Sequence, residues 1–301
     1  MAATSRATAR PRRSVLYMPG ANPRALEKAK AIAADTLIFD CEDSVAPDAK
    51  DAAMPTVVEA LKGGGYGNRE IVIRINGLST EWGERDLDMA AKAGPDAILV
   101  PKINSGADVK DIEARLTKAG APAHTKLWIM METPIAMLSA REIAAVAAEK
   151  DSRLVAFVLG TNDLVKELFA RHTPERLPLV TSLGLGLLAA RAYGLLCFDG
   201  VYNEIDNAQG LEEVCKQGAA FGFDGKTLIH PGQVDAANRA FSPSLEEVAW
   251  SRTIIAAFDA PEAKGKGVLR VDGKMVELLH AESARRVVAI ADMIAKAQTA
   301  A

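Results

Sequence analysis

The chain is poor in the features that mark several whole classes of protein. Its 301 residues include three cysteines (Cys41, Cys197 and Cys215), an odd count without metal-like spacing, as expected of a reducing compartment. The four histidines, His124, His172, His230 and His280, are scattered and form no metal-spaced pair, so there is no ligand set for zinc. Positive charge is not in excess. Lys and Arg total 36 against 39 for Asp and Glu, a net charge of −3, which gives no support for nucleic-acid binding. No stretch approaches the roughly 18–20 uninterrupted apolar residues of a membrane span, and none near the start resembles a secretory signal. A cytoplasmic location without a membrane partner is the expectation. Residues 1–11, rich in Ala, Thr, Ser and Arg without an acid in the first ten, read as a solvated, disordered tail. No Gly-x-Gly-x-x-Gly turn follows the first apolar run, which argues against a dinucleotide fold, and Gly184-Leu185-Gly186 lies in helix-like sequence.

What the chain does have is rhythm. Half of it is hydrophobic and a quarter charged, ordinary composition for a globular protein. Short apolar runs read as strands at Ser14–Met18, Thr36–Asp40, Ile71–Ile75, Ala97–Val100, Leu127–Met131, Leu154–Leu159, Cys197–Val201 and Lys226–Ile229. Each is followed by helix-like sequence. The helix beginning near Asp48 meets a strong stop at Gly63-Gly64-Gly65. Strict alternation implies parallel strands joined by right-handed crossovers, and about eight such units in about 240 residues favour a (β/α)8 barrel. The expected organisation is a barrel over 12–243 and a helical extension or lid over 244–301. In that extension, Glu246–Ala257 and roughly Val276–Ala297 are helical, and the glycine-rich stretch between them reads as turns.

A barrel carries its active site at the C-terminal ends of its strands. The polar residues there are Tyr17, the Asp40-Cys41-Glu42-Asp43 run, Arg74, Lys102, Glu132, Asp163, and Asn203, Glu204 and Asp206. Solvated loop charge accounts for many of them. Arg74, inside Ile71-Val72-Ile73-Arg74-Ile75-Asn76, is different: a buried arginine needs an anion, either an acidic side chain or a substrate carboxylate. Glu132 and Asp163 each follow an apolar strand. Spacing alone leaves a salt-bridge role and a metal role about equal. As ligands, two carboxylates with water and substrate oxygens would suit Mg2+.

Seven blocks then carry a resemblance. Arg12-Arg13-Ser14-Val15-Leu16-Tyr17-Met18-Pro19-Gly20 is followed by Phe39-Asp40-Cys41-Glu42-Asp43-Ser44-Val45-Ala46-Pro47, Arg74-Ile75-Asn76 and Met131-Glu132-Thr133-Pro134. Gly160-Thr161-Asn162-Asp163-Leu164, Asp199-Gly200-Val201-Tyr202 and Ile229-His230-Pro231-Gly232-Gln233 complete the series. In this order, over roughly Arg12 to Gln233, they resemble the citrate lyase β-subunit/malyl-CoA lyase family of the HpcH/HpaI aldolase superfamily.

That resemblance implies a Mg2+-dependent barrel that makes or breaks a carbon–carbon bond between an acyl-CoA and a 2-oxo acid. Glu132 and Asp163 would bind Mg2+, Arg74 would grip the 2-oxo acid, and Tyr17, Arg24 and Lys28 are candidates for the nucleotide end of CoA. The family's free-aldehyde aldolases have a base histidine after strand 2. Cys41-Glu42-Asp43-Ser44 has none, which points to the CoA branch. In that branch a C-terminal aspartate from a neighbouring subunit is the acid/base, implying a homo-oligomer, a trimer or its multiple. Here Gly273-Lys274-Met275-Val276-Glu277 places Glu277 at that position. The expected activity is cleavage or formation of a malyl-CoA, methylmalyl-CoA or citramalyl-CoA type of thioester, with glyoxylate or pyruvate as the 2-oxo acid. The alternatives are a malyl-CoA-type thioesterase, a citrate lyase β-subunit acting on a carrier-protein thioester, and a non-catalytic CoA or 2-oxo acid binding protein.

Overall fold

Eight parallel strands close on themselves in sequence order. The computed structural model describes residues 10–299; residues 1–9, most of the segment expected to be a disordered tail, lie outside the described residues. The chain divides into two compact units, one spanning Arg12–Phe241 and the other running from Ser242 onward.

In the first unit the strands and helices alternate as the apolar runs predict. β1 (Ser14–Pro19), α1 (Pro23–Ala29), β2 (Thr36–Asp40), α2 (Lys50–Gly63) and β3 (Glu70–Arg74) come first. α3 (Gly83–Ala93), β4 (Ala97–Val100), α4 (Gly106–Lys118) and β5 (Lys126–Met131) follow. The helix-like sequence after β5 is broken at Ser139 into α5 (Pro134–Leu138) and α6 (Ala140–Ala145). Then come β6 (Leu154–Leu159), α7 (Thr161–Glu167), α8 (Val180–Ala192) and β7 (Leu196–Asp199). α9 (Ala208–Phe221), β8 (Gly225–Leu228) and α10 (Val234–Ala240) complete the unit, and β8 pairs with β1 to close the ring. The glycine stop acts as expected: α2 ends at Gly64 with φ of 61°, a conformation that costs glycine little.

Period-two alternation splits each strand between two cores. Val15, Ile38, Val72, Leu99, Trp128, Met130, Val158, Leu196 and Phe198 fill the inside of the barrel. Their neighbours Leu16, Leu37, Phe39, Ile73, Ile98, Ile129, Phe157 and Cys197 point outward and pack under the helices. Trp128 and Phe198 stack with ring centroids 4.7 Å apart, so the interior is filled rather than hollow. The small residues Ala97 and Ala156 on the same inner surface leave volume for these rings.

The second unit holds α11 (Leu245–Asp259), β9 (Val268–Val271), β10 (Lys274–Glu277) and α12 (Leu278–Thr299). Ser244 and Glu247 start α11 with a reciprocal capping box. Ile254, Val271, Val276, Ala281 and Ala284 form a small core of its own. The turns read in the glycine-rich stretch are present, at 264–267 and at Asp272-Gly273, and the residues between and after them pair as an antiparallel hairpin. Asp272 and Gly273 both have positive φ, 45° and 81°, the geometry of a tight two-residue hairpin turn, and Val271 pairs with Lys274 across it. Among the described residues no helix is long and apolar enough to cross a membrane.

Candidate active site

The alternation that fills the barrel also builds its rim. Two residues beyond the inward-facing Val15, Ile38, Val72 and Met130 come Tyr17, Asp40, Arg74 and Glu132. These four therefore share the inner face at the C-terminal ends of β1, β2, β3 and β5. Met130 sits beneath them: its sulfur is 3.9 Å from the Tyr17 hydroxyl and 3.7 Å from Arg74 Nη1.

Arg74 is buried and already paired. Nε and Nη2 donate to the two oxygens of Asp40 at 2.6 and 2.7 Å, a fork that fixes the guanidinium plane. The Tyr17 ring lies 4.6 Å from the guanidinium carbon, and burial beside these acids drives the phenol's pKa far up. Asp40 in turn accepts from the backbone N–H groups of Glu42 and Ser44, so the loop after β2 is wound around the same carboxylate. Nη1 is left for other partners. It donates to Asp43 at 3.0 Å and lies 3.0 Å from Glu42. Asp43 is 70% exposed, whereas Asp40 is buried against the guanidinium. Glu42 is mostly buried among other acids, and burial pushes its carboxyl up to about 8 against the pull of Arg74.

Glu132 and Asp163 are brought together from β5 and from α7, one turn past β6. Glu132 is almost wholly buried, and Asp163 is a quarter exposed. Between them lies Lys102, whose Nζ is 2.7 Å from Asp163 Oδ1 and 3.5 Å from Glu132 Oε1. The Lys102 backbone N–H also donates to Glu132 Oε1 at 2.8 Å. Glu132 Oε2 is buried without a hydrogen-bond partner. Gly160 makes that approach possible, because a Cβ there would lie 2.4 Å from Glu132 Cβ and 2.7 Å from Oε2. Burial raises the Glu132 carboxyl to about 7, opposed by Lys102 and reinforced by Asp163.

Among the described residues no group of three or more His, Cys, Asp or Glu side chains is arranged to hold a metal ion. The pair nevertheless suits a hard divalent cation that takes one or two carboxylates and completes its shell with water and substrate oxygens. Two observations support the fit: a positive group already bridges the pair, and a buried carboxylate oxygen is left without a donor.

Arg24 and Lys28 are exposed on α1, whereas Tyr17, expected with them at the nucleotide end, packs under Arg74 inside the barrel. Glu277 ends β10 in the second unit, exposed, and its backbone N–H donates to His280 Nδ1 at 2.9 Å. Lys102 has no role assigned from sequence; its position directly after β4 in Val100-Pro101-Lys102 is the one local signal of it. That Asp40 takes two of the three guanidinium nitrogens of Arg74 has no local signal at all.

A second cluster of buried charge lies at the end of β7. Asp199 accepts from Arg176 Nη1 at 2.7 Å, from Lys226 Nζ at 3.3 Å and from the Gly200 N–H at 2.8 Å. Lys226 also donates to the Gly200 carbonyl. Asp199 follows the inward Phe198 and so faces out of the barrel, against α9, where a Cβ at Gly218 would come within 2.7 Å of its Oδ2. This cluster belongs to the layer between sheet and helices. Across the rim, Asn162 and Asn203 exchange side-chain amide hydrogen bonds at 2.8 and 3.2 Å, linking the segment that carries Asp163 to the loop after β7.

The sequence pattern of the HpcH/HpaI aldolase/citrate lyase family matches residues 13–231. Over 287 residues the chain is 49% identical to a (3S)-malyl-CoA thioesterase of Cereibacter sphaeroides strain KD131, covering 95% of this chain and 97% of that protein. It is 36% identical over 289 residues to the citrate lyase subunit beta of Escherichia coli K12, covering 94% of each. Among solved structures, CitE of Mycobacterium tuberculosis in complex with magnesium, acetoacetate and coenzyme A superposes with a TM-score of 0.74 at 28% identity, covering 95% of this chain and 99% of that one. RipC of Yersinia pestis gives a TM-score of 0.67 at 26% identity, covering 80% and 99%.

Proposed function

Because the chain belongs to the HpcH/HpaI aldolase/citrate lyase family, we propose that it is a Mg2+-dependent lyase for malyl-CoA-type thioesters, releasing or joining an acyl-CoA and a 2-oxo acid. The observation that carries the reading is the under-paired carboxylate couple Glu132 and Asp163 on the same rim as the buried guanidinium of Arg74. The crystallisation of CitE with magnesium, acetoacetate and coenzyme A supports the same ligands here.

Glu132 and Asp163 would hold the cation. A bound Mg2+ supplies electrostatic stabilisation of negative charge developing on the keto oxygen of the 2-oxo acid. Arg74, locked in plane by Asp40, presents Nη1 to the substrate carboxylate, which takes the place of Asp43. Tyr17 holds the other face of the guanidinium and, with Met130, keeps water from beneath it. Glu277, supplied by a neighbouring subunit of a homo-oligomer, removes the proton from the acyl-CoA α-carbon in the condensation direction and returns it in cleavage. Arg24 and Lys28 offer exposed positive charge to the phosphates of CoA.

A second reading, thioester hydrolysis, is favoured by the 49% identity to a (3S)-malyl-CoA thioesterase. Incubation of the purified protein with malyl-CoA and citramalyl-CoA, with and without Mg2+, separates the two. Release of acyl-CoA together with glyoxylate or pyruvate is the lyase result, and free CoA without 2-oxo acid is the thioesterase result. Glu132→Ala should lose at least about 100-fold in either activity. Full activity in that variant, or in the absence of any divalent cation, would sink the metal assignment.

A further inference from the structure

Lys102 does more at this site than neutralise charge. It is the group through which Glu132 and Asp163 are joined, and it reaches them in two ways. Its backbone N–H fixes Glu132 Oε1, while its ammonium spans from that same oxygen to Asp163 Oδ1. The residue adopts φ of 59°, a left-handed conformation that a lysine takes at a cost and that surrounding structure must hold. From this backbone the side chain reaches the carboxylate pair. The side chain is nonetheless 38% exposed, so the ammonium has solvent to move into.

We propose that Lys102 is a built-in competitor for the divalent cation: its ammonium occupies the carboxylate couple in the metal-free protein and is displaced when the cation binds. This rests on the Mg2+ reading of the pair. A dication held by both carboxylates, about 2.0–2.1 Å from the oxygens it takes, would stand within a few ångströms of an ammonium that already lies 2.7 Å from Asp163 and 3.5 Å from Glu132, and the two like charges repel. The lysine therefore keeps two neighbouring carboxylates from repelling one another when no metal is present, and it weakens metal binding by the free energy of the contacts it must give up. Glu132 Oε2, buried and unpaired beside Gly160, is untouched by the ammonium and is the oxygen left for the incoming ion. The anchoring N–H belongs to the backbone and survives substitution, so Lys102 is a positioning residue whose charge and position can be separated.

The test is titration calorimetry of the metal-free wild-type protein, Lys102→Met and Lys102→Arg with MgCl2. Lys102→Met keeps an unbranched stem without the charge and should bind Mg2+ about five- to ten-fold more tightly, while Lys102→Arg stays near wild type. Equal or weaker binding by Lys102→Met, with wild type binding normally, overturns the competition and leaves the metal site intact. No binding by either protein overturns the metal site and the competition together. Binding by Lys102→Met alone supports the competition in its strongest form. Acetylation of wild-type Lys102, followed by mass spectrometry, gives a readout that does not depend on a variant folding. Labelling should rise several-fold when Mg2+ is added, and a rate unchanged by Mg2+ counts against displacement.

Discussion

Two clusters in this molecule are built from the same parts and behave as opposites. Asp199, Arg176 and Lys226 lie at the end of β7; Glu132, Asp163 and Lys102 lie at the ends of β5, β6 and β4. In the first, Asp199 and Lys226 are fully buried, and the carboxylate receives donors from a guanidinium, an ammonium and a backbone N–H. In the second, the lysine is 38% exposed and a buried carboxylate oxygen has no donor. Burial of charge and position at a strand end are common to both. What separates them is the direction the carboxylate faces and whether its lone pairs are already taken. A cluster whose carboxylate is fully supplied with donors holds the sheet to its helices, whereas one with an unpaired carboxylate oxygen at the barrel mouth has capacity left for a ligand.

Breaking the first cluster should have the largest effect on stability. Asp199→Ala leaves two buried cations without their anion and should lower unfolding free energy by about 3–5 kcal/mol in urea denaturation. Glu132→Gln, by contrast, should leave the denaturation midpoint unchanged or raise it, because the native state already holds this carboxyl far from its ordinary value. A loss for Glu132→Gln as large as for Asp199→Ala would erase the distinction between the clusters.

A smaller effect sharpens the same contrast through pH. The Glu132 carboxyl titrates at about 7 in the folded protein against an ordinary 4.5, and Glu42 at about 8. Between 4.5 and those values the native state retains protons that the unfolded chain has released, so these two groups make stability fall as pH rises. The decline ends above about 7 for Glu132 and about 8 for Glu42. Subtracting the stability curve of Glu132→Gln or Glu42→Gln from that of wild type, both measured without metal, should show this slope. A difference curve that is flat from pH 5 to 8, or that rises, would contradict the assigned burial. The smallest change belongs to an exposed pair far from either cluster: Lys92→Ala removes the contact of 2.6 Å with Asp88 one helical turn away and should cost no more than about 0.5 kcal/mol.

The barrel was legible because its signal is repeated. Eight apolar runs at regular spacing each match a strand of the closed sheet, and an error at any one would leave the rest in place. Glu132, Asp163 and Arg74 could be picked out because a charged residue ending or interrupting an apolar strand demands an explanation. The broken helix after β5 and the hairpin at 268–277 were less legible. The first depends on how Ser139 sits between two short amphipathic turns. The second depends on Asp272-Gly273, a sound hairpin signal whose flanking strands are too short and too exposed to show an alternating pattern. Lys102 as a bridge, and Asp40 as the fixed partner of Arg74, join residues from different strands, and no local pattern reports such a meeting.

The limit is plainest in two strands that read almost alike. Leu37-Ile38-Phe39-Asp40 ends β2 and Leu196-Cys197-Phe198-Asp199 ends β7. In β2, Phe39 packs outward and Asp40 therefore faces into the barrel, where it locks Arg74. In β7, Phe198 packs inward and Asp199 faces the helices. The sequence by itself determined that both are strands, that both end in an acid, and that the chain closes eight such units into a barrel. Only the tertiary structure decided which acid reaches the inner rim of the barrel. A strand buried on both faces carries no alternation to reveal its orientation, and a shift of one residue in register turns every side chain to the other side.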